Sequence, residues 1–182
     1  MKTRPYNKKG NRGFTLVEAM VAISILSLAV TGPLVIAQKG LGSAIYAKDQ
    51  IIAAYLAQEA VEYVRNTRDT NRITGSAWLT GLSACAVSSG GEACEIDARK
   101  TDFLAAGAVT SCSGGVCDPI SFDGSSGLYG YGIGSPTKFT RSISIDSRAS
   151  PKEATITVTV AWATNLFLPV RTFTIRETIF NF

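Results

Sequence analysis

The segment Ala19–Gln38 runs for twenty residues without a charged side chain, and no other feature limits the fold as strongly. As a helix it spans about 30 Å at about 1.5 Å per residue, the hydrocarbon thickness of a bilayer. Its N-terminal flank holds Lys2, Arg4, Lys8, Lys9 and Arg12, with no acid before Phe14. The positive-inside rule puts that end in the cytoplasm and everything after Lys39 outside it. A cleaved secretory signal would have a shorter apolar core ending in a small-residue site. A buried core helix would explain neither the charge asymmetry nor the length of the run. A plain signal anchor explains the length, but not the residues just ahead of it.

The charge balance bears on partners. The chain has a net charge of +4, yet setting aside the five cations of the leader leaves 13 basic and 14 acidic side chains, a net of −1. The basicity belongs to the leader, and nucleic acid is not expected as a partner of the remaining domain. Histidine is absent. That removes serine–histidine–aspartate and cysteine–histidine catalysis, and every zinc site that needs imidazole. No GxxxxGK[ST], GxSxG or GxGxxG motif occurs. The glycine-rich "GLYGYGIG" (127–134) lacks the strand-then-helix context of a phosphate loop and reads as a turn-rich strand or loop. No catalytic residue, metal or cofactor is expected.

Ahead of the apolar run stands "KKGNRGFTLVEAM", Lys8 to Met20, which carries the carboxylate of Glu18 into the hydrophobic segment. A charge at mid-bilayer costs about 2.5–3.5 kcal/mol on insertion scales, so it needs a reason. These residues resemble the type IV prepilin family, which includes pilus subunits and the pseudopilins of type II secretion. Gly13-Phe14-Thr15-Leu16-Val17-Glu18 is similar to the family's cleavage and methylation motif. The resemblance implies cleavage after Gly13 by a membrane peptidase, N-methylation of Phe14 and a role for Glu18 in filament assembly. The partners it implies are other pilin subunits, the prepilin peptidase and methyltransferase, a pilus assembly platform, and the membrane before assembly. The cut frees a positive α-amino group. On a neighbouring subunit that amine is a natural partner for Glu18, and such a pair sets register, because misalignment strands a charge.

Gly32-Pro33 interrupts the run, and proline removes a backbone donor, so a helix break is expected there. Beyond it the 3.6-residue period resumes. Ile45, Ile52, Leu56 and Tyr63 mark an apolar stripe with Ile51, Tyr55 and Val64 beside it, while Lys48, Asp49, Gln58, Glu62 and Arg65 lie mostly off it. One long, broken helix from about Phe14 to Asp69 is expected, its first half bare and its second half packed on a domain.

Gly, Ser and Ala dominate residues 70–137, which also hold all four cysteines, Cys85, Cys94, Cys112 and Cys117. Disulfides are expected outside the cytoplasm, with three pairings possible. Nearest-neighbour pairing would close two small surface loops. A Cys₄ zinc site is the alternative, without a short CxxC knuckle to favour it.

The tail changes period. Phe139, Ile143 and Ile145 alternate with Thr140, Ser142 and Ser144. Ile156, Val158, Val160 and Trp162 alternate with Thr155, Thr157, Thr159 and Ala161, and Phe173, Ile175 and Ile179 share a parity. Alternation of this kind marks antiparallel strands with one buried face, with turns at Asp146–Ala154 and Thr164–Pro169. Arg141 and Glu177 fall on the apolar parity. Both are expected near strand ends, reaching water along their stems. The alternative is pairing, with each other or with a helix charge such as Glu59 or Arg65.

The expected class is α+β, a long N-terminal helix with a transmembrane first half and an antiparallel meander packed on its C-terminal half. The expected segments are a cleaved leader (1–13), a transmembrane and assembly helix (14–38), its amphipathic continuation (39–70), an irregular cysteine-containing region (71–137) and a sheet (138–182). The functional expectation is a structural subunit of a pilus-like filament, stored in the cytoplasmic membrane and then carried at the cell surface. "LAQEAVEYVRNTRD" and the three-stranded tail look closer to the minor-pilin branch, though no cysteine follows Cys117 to close a C-terminal loop. The alternatives are a type II secretion pseudopilin and a single-pass anchored binding domain that never polymerises.

Overall fold

The computed structural model describes residues 13–87, 92–150, 152–163 and 169–181. The basic leader from Lys2 to Arg12 and most of the expected Thr164–Pro169 turn lie outside these residues. The chain divides into two compact units, Met1–Ala47 and Lys48–Phe182.

Helix α1 covers Leu16–Ile73, 58 residues. Thr15 starts it, its Oγ1 accepting from the Glu18 amide at 3.2 Å. Its end falls one turn later than Asp69. Gly75, at φ 74°, is the first residue to take the left-handed conformation, and its amide donates to the Arg72 carbonyl. The expected break at Gly32-Pro33 does not interrupt α1. Proline withholds one amide bond, and the flanking turns carry the helix across that gap.

In the first unit every described residue of the helix is exposed. In the second unit the buried face of α1 passes through Ala53, Ala57, Ala60, Val64, Thr67 and Asn71, at spacings of three and four. Leu56, Tyr63 and Val64 are buried as the stripe requires, but Ile45, Ile51 and Tyr55 are exposed, the last two at 57% and 68%. Small side chains, Ala53, Ala57 and Ala60, share the buried face with Leu56, Val61, Tyr63 and Val64. Asp49, expected off the stripe, is buried and accepts from Lys138 Nζ at 2.6 Å.

The sheet has seven antiparallel strands: β1 (Cys94–Ile96), β2 (Val109–Ser111), β3 (Pro119–Asp123), β4 (Leu128–Gly130), β5 (Ser135–Ser150), β6 (Glu153–Trp162) and β7 (Arg171–Phe180). β6 lies along one side of β5 and carries β7; β3 and β1 lie along the other and carry β4 and β2. The stretch 71–137, expected to be irregular, therefore supplies four strands. All are five residues or shorter, too brief to show an alternation. "GLYGYGIG" holds β4 and the turn into β5. There Gly134 takes φ 51°, and a Cβ would fall 2.1 Å from the Phe122 carbonyl oxygen, so only glycine fits. The turn expected over Asp146–Ala154 is narrower, since β5 runs to Ser150 with a register shift after Asp146.

Cys85 pairs with Cys94 and Cys112 with Cys117. The first bridge is in the core rather than on a surface loop: both its cysteines are at 0% exposure, joining a short 3₁₀ turn (Ser83–Cys85) to β1. The second closes the connection between β2 and β3. With loops this short, each bridge restricts the unfolded chain by about 2–3 kcal/mol.

The two charges on the apolar parity pair with the helix rather than standing alone at strand ends, Arg141 fully buried and Glu177 half-buried. Arg141 is 1% exposed. Its Nη1 donates to the Leu56 carbonyl at 2.8 Å and to Glu59 Oε2 at 2.7 Å, and its Nη2 to the Ile96 carbonyl at 2.5 Å. One guanidinium thus ties β5 to α1 and β1. Glu177 accepts from Arg65 Nε at 2.7 Å, tying β7 to α1. Pairing with the helix wins because both side chains point at it, and a buried charge left alone is costly.

Candidate assembly and processing segment

Gly13, Phe14 and Thr15 precede the helix, and together with Glu18 they line one recess of about 400 Å³. Gly13 has no positive φ, and a Cβ there would meet nothing within 4 Å. The fold itself makes no demand for glycine at this position. Phe14 is 81% exposed and packs on nothing that would hold it in place. Glu18 lies in the first turn, where the helix N-terminus favours a carboxylate. Its side chain makes no hydrogen bond or ion pair among the described residues.

The helix beyond it is dressed for an apolar surrounding. Leu16, Val17, Met20, Ile23, Leu26 and Leu28 are all more than 60% exposed. The polar side chains among them bond to the helix itself. Ser24 Oγ donates to the Met20 carbonyl and Ser27 Oγ to the Ile23 carbonyl, both at 2.8 Å, and Thr31 Oγ1 donates to the Ser27 carbonyl. Hydroxyls satisfied four residues back cost little in lipid. α1 is long and apolar enough to cross a membrane. Gly32 and Pro33 lie within this uninterrupted surface.

The chemistry open to such a segment is recognition and packing. Among the described residues, one cluster brings three potential metal-ligating side chains together, Glu95 with Cys112 and Cys117. Its two sulfurs are bonded to each other, so they hold no metal. Burial raises the pKa of the Glu95 carboxyl, and hydrogen bonds from Ser126 and then Ser125 lower that of the Asp123 carboxyl to about 2. These are turn and loop devices of the sheet, remote from Glu18 in sequence.

Reading the sequence missed a second feature. Ile52, Tyr55, Leu56 and Glu59 of α1 and Tyr129 of β4 line a groove of about 300 Å³. The 3.6-residue period puts Tyr55 beside the apolar stripe, and Tyr129, which lines the same groove, lies on a strand too short to read from the sequence.

No curated protein and no solved structure matches the chain. Residues 8–32 match the family described as the Prokaryotic N-terminal methylation motif, a span that contains Gly13, Phe14 and Glu18, so the chain carries a pilin-like N-terminal signal ahead of its α+β domain.

Proposed function

We propose that this protein is a structural subunit of a type IV pilus-like filament, cut after Gly13, N-methylated at Phe14 and polymerised through its N-terminal helix. The observation that carries the reading is Glu18, without a side-chain partner among the described residues, on the exposed apolar first half of α1 and inside the matched methylation motif. Such a surface needs lipid before assembly and other subunits after it. Cleavage removes the cations that orient the chain, with its N-terminus in the cytoplasm and its domain outside. The glycine at position 13, which the fold does not need, suits a peptidase that requires a slim residue at the cut. Prepilin peptidase, methyltransferase, assembly platform and neighbouring subunits are the partners. We place the chain on the minor-subunit side, on the character of residues 56–69 and the sheet tail.

Intact-mass measurement of purified filaments tests this reading. The expected mass is that of a chain beginning at Phe14 with one added methyl group and two disulfides. A chain that begins at Met1, or absence of the protein from filaments, overturns it. Its abundance relative to the other subunits in the same preparation tests the minor-subunit assignment.

A further inference from the structure

The groove between α1 and β4 is lined by two tyrosines, Tyr55 and Tyr129, two aliphatic residues, Ile52 and Leu56, and one carboxylate, Glu59. Tyr129 is steadied by Phe122, with ring centroids 4.9 Å apart. Glu59 is 41% exposed, and Arg141 engages only its Oε2, leaving Oε1 without a hydrogen bond among the described residues. Aromatic faces around a carboxylate suit an ammonium group on an apolar stem, which is a lysine side chain. The other groove beside α1, lined by Gln58, Val61, Glu62, Ile175 and Glu177, already has its cation, because Arg65 bonds both glutamates.

From Ala19 to Ala47 the helix carries a single charge, Lys39, which is exposed and has no partner among the described residues. If that surface is covered by copies of the chain, an unmatched ammonium there is as costly as an unmatched Glu18. Lys39 precedes Glu59 by twenty residues in the sequence of α1. We propose that the Ile52–Tyr55–Glu59–Tyr129 groove receives the Lys39 segment of a second copy, the lysine lying between the tyrosines with its ammonium on Glu59. The inference rests on the assembly reading above and adds to it a particular contact between neighbours.

The experiment uses the full chain in cells that make the filament, with Tyr55→p-benzoylphenylalanine as a photo-crosslinking probe. Tyr55 is exposed, so the probe leaves the core untouched. Expected is a crosslink within assembled filaments to residues near Lys39 of another copy. Lys39→Gln should cut its yield several-fold and Lys39→Arg should retain it. Filaments that form normally with no such adduct, with adducts to a different protein, or with a yield indifferent to Lys39→Gln, overturn this contact while leaving the subunit reading intact. Failure of the unsubstituted chain to enter filaments overturns both.

Discussion

Arg141 shows how one polar side chain can organise an interior. Its guanidinium serves two buried carbonyls, Leu56 and Ile96, as well as Glu59. Arg141→Met should cost about 2–4 kcal/mol, mostly because those carbonyls lose their donors. Glu59→Gln should cost less than about 1 kcal/mol, since Glu59 is half exposed and the amide still accepts. A double-mutant cycle between Arg141→Met and Glu59→Gln should show coupling, whereas Arg141→Met with Glu177→Gln should be additive within about 0.5 kcal/mol, because Glu177 answers to Arg65 instead. Coupling between Arg141 and Glu177 in denaturant melts would contradict these partners. Nearby, burial pushes the Tyr131 hydroxyl from 10.0 up to about 12. The folded protein therefore gives up this proton later than the unfolded chain does. The associated stability is complete below pH 10 and is lost as pH rises toward 12. Denaturation midpoints should fall over that window, and less steeply in Tyr131→Phe.

At the scale of elements, α1 brings its smallest residues into the core as well as larger ones. Ala53, Ala57 and Ala60 are all at 0% exposure, so a larger side chain there must displace its neighbours. Ala57→Leu should destabilise the domain by about 1–3 kcal/mol through overpacking, read as a lower denaturation midpoint. A neutral result would mean the sheet can move away. The same seam shows what was legible beforehand. Long strands with clean alternation, such as Thr155–Trp162, announced their buried face, and the apolar run from Ala19 announced the exposed helix. The alanine seam was spaced correctly but hidden by Ile51 and Tyr55, whose bulk suggested a core they do not enter. The short strands β1 to β4 were illegible because three to five residues cannot display a period, and their pairing is set by partners distant in the chain. Arg141 and Glu177 were visible as oddities of parity, and Glu59 and Arg65 were nameable as partners. That the pairs would form depended on the helix lying against that face of the sheet.

For the whole molecule, folding and assembly place their demands on different residues. Every buried polar group described above belongs to the Lys48–Phe182 unit, while the described residues of the methylation motif, 13–32, are all exposed. Changes at Glu18 should therefore separate the two processes. Glu18→Gln keeps the size of the side chain and removes only its charge. It should insert into the membrane at least as well as the natural chain, because it removes a charge from the edge of the apolar run. The thermal midpoint of the detergent-extracted protein should not change, since Glu18 has no side-chain partner among the described residues. Filament yield should fall if, as proposed, the N-terminal amine of a neighbouring subunit pairs with Glu18, because that amine would then face a neutral amide and no register would be favoured over another. The three measurements belong together. A fall in yield with the midpoint held constant assigns Glu18 to assembly. A fall in both would assign it to folding, against its exposed position. Wild-type yield with normal insertion would mean that the helix packs by shape alone, and the carboxylate would then need a different explanation.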